Sequence, residues 1–249
     1  MYDSEMQGVT LNAQNYYRFG KMTDLVIQDV RLNDSFPALF IIESAMKVTF
    51  KNCYFPSGII LCGFYEELTF INSNIKVINS DIAARKIFVI NDEDNSAKKI
   101  SFVDCQMKFL WEFKAENCQI SIRTINQVEV MEELSLSNCE LSINCFELGC
   151  EVLTIKGDVK IHLDSQELCN AYFPLSKTEP RVRPGLRYAS LNLNDNAKAT
   201  FSTSWNEMFL LNGELRDPKY TSLPDDLTGL EDFYLRKGPG DDSGEAFCY

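Results

Sequence analysis

Histidine is almost absent from this 249-residue sequence, which contains only His162. A serine or cysteine nucleophile that works with a histidine would have to use it, and no Gly-x-Ser-x-Gly elbow is present. His162 lies out of phase with the apolar residues of 159–163, so we interpret it as a surface residue of a strand. The nine cysteines include no Cys-x-x-Cys pair. We therefore predict no catalytic residues, no metal site and no cofactor.

Long apolar runs are also lacking. No stretch approaches the roughly 18 residues that span a bilayer, and residues 1–7 lack the basic and apolar segments of a secretory signal. The cysteines lie in strand-like runs, where a free thiol behaves as a small buried apolar group. We expect a cytoplasmic protein with reduced cysteines.

Basic residues are outnumbered, 24 against 36 acidic ones, which gives a net charge of −12. Such a charge disfavours binding to nucleic acids and to anionic membranes. It favours solubility or a basic protein partner, so we expect a protein partner, no membrane and no nucleic acid.

A short phrase recurs along the chain. It reads apolar–x–apolar–x–x–small–x–apolar, usually with Asn or Asp just before the small residue. The copies cover residues 25–32, 48–55, 68–75, 100–107 and 134–141. The period-two alternation predicts short strands, and Asn or Asp tolerates the tight turn that ends each one. Such recurrence is typical of a stacked solenoid, with the polar residues forming a ladder at a corner.

Two kinds of solenoid compete for this pattern. The spacing of apolar residues in 131–141, 22–32 and 97–107 resembles the core of a leucine-rich repeat. The phrase starts at residues 25, 48, 68, 100, 134 and 153, however, so its steps are uneven. The intervening stretches, such as 87–90 and 107–113, read as further strands and not as helices. The chain therefore resembles an all-β, right-handed parallel β-helix, with an irregular leucine-rich repeat as the alternative.

The pattern divides the chain into three parts. Residues 1–21 are predicted to form an N-terminal cap or arm, and residues 22–213 the β-solenoid. Residues 214–249 are predicted to form an acidic, loop-rich C-terminal tail, in which a short helix starts near residue 223. The solenoid is interrupted at residues 165–188, which contain three prolines and no period. Long ordered loops of this kind often carry function.

The loop contains the densest basic cluster of an acidic protein. Arginine forks suit carboxylates and phosphates, so the cluster is expected to bind the acidic tail of its own chain, an acidic partner or a nucleotide. Aromatic residues beside it would act as contact anchors. The predicted binding residues are Lys177, Arg181, Arg183, Arg187, Tyr172, Phe173 and Tyr188.

These observations favour a non-enzymatic protein-binding module, such as an inhibitor, an immunity factor or an adaptor. It would act through a solenoid face or through the 165–188 loop, and open solenoid ends would allow a homo-oligomer. The alternative is a carbohydrate lyase or hydrolase, a class often found on parallel β-helices, because residues 181–187 come close to the lyase motif Arg-x-Pro-x-x-Arg. That function requires carboxylates from neighbouring coils beside Arg181, Arg183 or Arg187. A further alternative is a phage or viral structural protein.

Overall fold

The regular elements in the described part of the chain are β-strands. The computed structural model describes residues 2–8, 10–11, 16–32, 36–92, 98–124, 127–145, 147–163, 185–194, 197–203, 209–211 and 214–216, and it contains no helix in these ranges. No described segment could therefore cross a membrane as a helix. In chain order the strands are β1 Tyr2–Gln7, β2 Thr10–Leu11, β3 Tyr16–Gln28, β4 Arg31–Leu32, β5 Ala38–Lys51, β6 Tyr54–Ile71, β7 Asn74–Ile78, β8 Asp81–Ile90, β9 Lys99–Val103, β10 Gln106–Lys108, β11 Glu112–Glu116, β12 Gln119–Arg123, β13 Val128–Ser137, β14 Glu140–Asn144, β15 Glu147–Lys156, β16 Asp158–Leu163, β17 Gly185–Leu193, β18 Lys198–Thr203, β19 Phe209–Leu211 and β20 Glu214–Arg216.

These strands stack as a parallel solenoid. Each long strand pairs in parallel with the strand one turn later, as β3 does with β5 and β13 with β15. Among the described strands, only β19 and β20 pair antiparallel. The prediction of an all-β parallel solenoid is confirmed. Strands and not helices connect the phrase strands, so the leucine-rich-repeat alternative does not describe this fold.

Each turn of the solenoid contributes to three faces. Face 1 consists of residues 4–7, 25–28, 48–51, 68–71, 87–90, 113–116, 134–137, 153–156 and 191–193. Face 2 consists of residues 10–11, 31–32, 54–55, 74–78, 99–103, 119–123, 140–144, 158–163 and 198–203. Face 3 consists of residues 16–19, 38–42, 59–63, 81–83, 106–108, 128–130, 148–150, 186–188 and 210–211.

One phrase lies on a different face from the others. The copies that start at residues 25, 48, 68, 134 and 153 all lie on face 1, but Ile100 pairs with Ile75 and Ile120 on face 2. The face 1 positions in that part of the chain are Ile87 and Phe113. The long steps seen in the sequence therefore arise because two strands of face 1 do not carry the phrase.

Stacking in register builds one continuous apolar core. The first inward position of face 1 is occupied in successive turns by Leu25, Val48, Leu68, Ile87, Phe113, Leu134 and Leu153, all at most 1% exposed. Part of the core is a run of phenylalanine rings. Phe50 and Phe70 stack at 5.5 Å between ring centroids, and Phe70 meets Phe102 edge to face at 6.0 Å. Each such buried side chain contributes roughly 1.5–3 kcal/mol.

The corner between faces 1 and 2, here the asparagine corner, is the predicted polar ladder. It consists of Gly8, Asp29, Asn52, Asn72, Asn91, Asn117, Asn138 and Gly157. The amide of Asn52 donates to the carbonyl of Ile71 in the next turn at 2.9 Å, and its side-chain Nδ2 donates to Asp29 at 3.0 Å. Left-handed backbone, with φ of 54° at Asn52, makes the turn, which explains the preference for Asn, Asp and Gly.

A small side chain follows several of these corner residues and points inward. Cys53, Ser73, Cys118 and Cys139 occupy this position, and all are buried. The Sγ of Cys53 lies 3.2 Å from the carbonyl of Ile27, and the Oγ of Ser73 donates to the carbonyl of Phe50 at 3.2 Å. The cysteines thus act as small buried groups with a weak donor, and all seven described cysteines are free thiols.

We expect these buried thiols to make the folded protein less stable at alkaline pH. Burial raises the pKa of Cys53 to about 11 and the pKa of Cys118 to about 12. In the unfolded chain thiols ionise near pH 8.5, so the unfolded state loses protons first and stability falls as pH rises from about 8.5 toward the folded pKa. Each thiol is expected to cost about 2 kcal/mol between pH 8 and pH 10. Urea unfolding of Cys118→Ser should show a correspondingly smaller loss, since Ser73 already fits the same position; an identical loss would contradict this assignment.

The ends of the chain extend or leave the solenoid. Residues 2–7 and 10–11 pair with β3 and β4 and so lie at one end of the stack, within the segment predicted as a cap or arm. Residues 185–188, predicted as the end of the long loop, are instead the start of β17. Residues 164–184 and the helix predicted near residue 223 lie outside the described residues.

Candidate functional site

The predicted basic and aromatic cluster is described only at its C-terminal end. Lys177, Arg181, Arg183, Tyr172 and Phe173 lie outside the described residues, so their role stays a prediction. Arg187 and Tyr188 are consecutive residues of β17 on face 3, and their side chains point to opposite sides of the strand.

Arg187 is held by an ion pair within the solenoid. Its Nη2 lies 2.9 Å from Oε2 and 3.1 Å from Oε1 of Glu129, two turns away. The residue between them in register is Gly149, and a Cβ there would lie 2.8 Å from Nη2 of Arg187. Glycine therefore leaves the space in which the two side chains meet. Arg187 therefore pairs with a carboxylate of its own chain, Glu129.

Tyr188 points into the core. It is 4% exposed and belongs to the same apolar cluster as Leu186. The expectation that its ring would anchor a partner on the surface does not fit this position, because strand alternation turns it inward while Arg187 points outward.

A second group of side chains, missed in the sequence, lies on the bend between faces 3 and 1. This group, here the aromatic corner, consists of Met46, Phe64, Phe109, Trp111 and Met131, which are 40–62% exposed. The last three lie in adjacent turns, because the amide of Met131 donates to the carbonyl of Leu110 at 2.7 Å. Large apolar side chains that cluster on a soluble protein mark interaction sites more often than single ones do.

Phe109 has an unusual backbone conformation. Its φ is +60°, and every other described non-glycine residue with a positive φ is Asn or Asp. A left-handed conformation costs an ordinary L-residue roughly 1–2 kcal/mol. The ring is nevertheless 62% exposed, so it recovers little of this cost through burial. Strain of this kind at an exposed aromatic residue is a feature of functional sites.

Charges surround the aromatic corner in a defined arrangement. Arg85 pairs with Glu66 at 3.3 Å, and Lys86 pairs with Glu112 at 2.5 Å. The neighbouring Glu132 and Glu133 form no ion pair with a described residue, and the amide of Glu132 donates to the carbonyl of Trp111 at 2.9 Å. Glu112 raises the pKa of the Lys86 ammonium group, and Glu132 nevertheless lies close enough to contribute to this increase. The two glutamates therefore add negative charge beside Trp111, part of which Lys86 balances.

The sequence carried a weak signal for this corner. Residues 107–113 read as a strand, but the structure breaks them into β10 and β11 around Phe109 and Trp111. An unbroken strand would have buried every second residue of this run. Exposed turns between two strands usually consist of Gly, Pro, Asn, Asp or Ser, so two aromatic residues in the turn between β10 and β11 are unusual.

Metal-binding groups do not assemble in the described part of the chain. No three His, Cys, Asp or Glu side chains lie close enough together there to hold a metal ion. His162 is partly exposed between buried Ile161 and Leu163, as its phase in the strand predicts. Comparisons with protein-family models, with curated proteins and with solved structures each gave no match.

Proposed function

We propose that this protein is a non-enzymatic protein-binding module whose docking surface is the aromatic corner. The observation that carries the proposal is Phe109, an exposed aromatic residue kept in a left-handed conformation that Gly or Asn would adopt at lower cost. Folding stability does not account for a phenylalanine there. A contact made by the exposed ring does.

The chemistry of the corner indicates the kind of partner. Trp111 is a typical hot-spot residue, and Phe109 and Met131 extend its apolar surface over two turns. Glu132 and Glu133 add negative charge to the rim, in a protein of net charge −12. The fitting partner is a protein with an apolar pocket flanked by basic residues, and its association rate should fall as salt is raised.

Replacing Phe109 with glycine separates stability from binding. The change removes a left-handed strain of roughly 1–2 kcal/mol and adds a glycine entropy cost of roughly 0.5–1 kcal/mol. We expect the free energy of unfolding to rise by about 0.5–1 kcal/mol while partner binding falls at least tenfold. Denaturant unfolding measures the first quantity, and quantitative affinity capture from lysate of the source cells measures the second.

Phe36→Ala is the matched control for this experiment. Phe36 is 70% exposed but lies between faces 2 and 3, away from the aromatic corner. Its loss should change neither stability nor capture. A Phe109→Gly protein that is less stable than the wild type and captures the same partner equally well would overturn the proposal.

The enzymatic alternative has less support in the described residues. It requires carboxylates that converge beside Arg181, Arg183 or Arg187, and Glu129 beside Arg187 is engaged in an ion pair. A structural role in a phage or virus predicts a stable trimer, whereas the binding role allows a monomer or a dimer. Light scattering coupled to size exclusion distinguishes these two, and the roles as inhibitor, immunity factor or adaptor stay predictions.

A further inference from the structure

A polar cleft of about 490 Å³ lies at the asparagine corner, where the turns containing β4 and β6 meet the start of β9. Its volume falls in the range of sites for small molecules. Its lining consists of Asp29, Arg31, Asn52, Cys53, Tyr54, Asn72 and Lys98. The corner asparagines supply its floor, because their side chains are fixed by the ladder: Nδ2 of Asn52 donates to Asp29 at 3.0 Å, and Nδ2 of Asn72 donates to Asp92 at 2.7 Å.

The cleft gathers hydrogen-bond donors that have no acceptor among the described residues. The side chains of Arg31 and Lys98 form no ion pair or hydrogen bond with a described residue, although the protein is rich in carboxylates. The hydroxyl of Tyr54, which is the register neighbour of Arg31, likewise has no partner among the described residues. Arg31 and Tyr54 lie on adjacent turns, and Lys98 directly precedes β9, two turns beyond Tyr54. The guanidinium, the phenol and the ammonium all belong to residues that line the cleft.

The lining contains one carboxylate, Asp29, which forms no ion pair with these two cations. Asp29 accepts hydrogen bonds from Gln28 at 3.0 Å and from Asn52 at 3.0 Å, which lower the pKa of its carboxyl group. The oxygen atoms of the Asp29 carboxylate thus accept from neighbours at the asparagine corner. The residues that line the cleft thus carry two cations and one carboxylate, and the carboxylate of Asp92, which accepts from Asn72, lies just outside the lining.

We propose that this cleft binds a small oxyanion, a carboxylate or a phosphate, with Arg31 and Lys98 as its charged ligands and Tyr54 as an additional donor. Arginine forms paired hydrogen bonds to the oxygen atoms of either group, and lysine adds a point charge. The rigid corner ladder holds the site in place before binding. This site is separate from the aromatic corner, which lies on another edge of the solenoid, and it does not depend on the proposed function.

Isothermal titration calorimetry of the full chain with inorganic phosphate, citrate and uncharged glucose tests the site. We expect saturable binding of at least one of the two anions at one site per chain, and none of glucose. The comparison of phosphate with citrate shows whether the cleft prefers a phosphate or a carboxylate. Arg31→Gln and Lys98→Gln should each weaken binding at least tenfold, and Tyr54→Phe should weaken it less.

Lys160→Gln is the matched control, because Lys160 is an exposed face 2 lysine outside the cleft and loses the same charge. Denaturant unfolding should confirm that all four variants are folded. Binding that survives in Lys160→Gln but not in Arg31→Gln and Lys98→Gln supports the site. Equal weakening by all three substitutions, or no saturable binding of either anion by the wild type, would overturn it.

Discussion

Phe70→Ala is expected to lower the free energy of unfolding by about 3–5 kcal/mol. Phe70 is fully buried between Phe50 and Phe102, so the substitution removes ring contacts from both neighbouring turns and leaves a cavity. Register stacking prevents the cavity from closing, because each turn is hydrogen-bonded along its length to the turns on either side. Urea or guanidinium unfolding, followed by circular dichroism, measures the change.

Phe64→Ala provides the comparison for this core substitution. Phe64 belongs to the same strand, β6, but is 40% exposed at the aromatic corner. Its loss should cost much less, on the order of 1 kcal/mol or below. Similar losses for the two variants would show that burial in the solenoid interior is not what stabilises this chain.

Gly63→Ala is expected to be the most disruptive single-methyl change in the described solenoid. A Cβ at this position would overlap the carbonyl oxygen of Ile42, and the φ of Gly63 is +158°. The obstacle is backbone of the neighbouring turn, so it cannot rotate away. Overpacking costs typically 1–3 kcal/mol and strained backbone a further 1–3 kcal/mol, so we expect a loss of more than about 2 kcal/mol in the same unfolding measurement.

Gly149→Ala is the control for Gly63→Ala, because the atoms nearest to a Cβ there are the ends of the Glu129 and Arg187 side chains. These can move apart at the expense of an exposed ion pair, worth about 0.2–1 kcal/mol. The unfolding energy should therefore fall by 1 kcal/mol or less. If Gly149→Ala destabilised the protein as much as Gly63→Ala, the distinction between backbone and side-chain obstacles would be wrong.

The sequence was sufficient to predict the solenoid because its corners have strict chemical requirements. A left-handed residue followed by a small inward-pointing residue admits few side chains, and pairs such as Asn52-Cys53 and Asn138-Cys139 make the pattern visible. The same pairs also predicted the polar ladder at the corner. Alternation of period two then indicated which side chains fill the core.

The assignment of strands to faces could not be read in the same way. A second corner, between faces 2 and 3, uses the same chemistry at Asn79-Ser80 and Asp104-Cys105, where φ is 46° at Asn79 and 53° at Asp104. The phrase at 100–107 therefore imitates the others while lying on another face. Two corners with one chemical signature are indistinguishable until strands are paired.

The sites were predicted less well than the fold, for two physical reasons. A local basic cluster in the sequence indicates charge but not which acidic residue will pair with it. Arg187 pairs with Glu129, 58 residues earlier in the chain, over the intervening Gly149, and the sequence alone does not reveal this contact. The aromatic corner depends on exposure at a bend, and a run such as 107–113 has the composition of a buried strand. Both features arise from contacts between turns.

Site-directed photo-crosslinking tests the central claim, that the aromatic corner docks a protein partner, most directly. Benzoylphenylalanine is placed at position 111 in place of Trp111 or, as a control, at position 36 in place of Phe36, and each protein is irradiated in lysate of the source cells. We expect one discrete crosslinked protein from position 111 that is absent from position 36 and is lost when Phe109→Gly is added. Crosslinks that are absent from position 111, or the same from both positions, would contradict it.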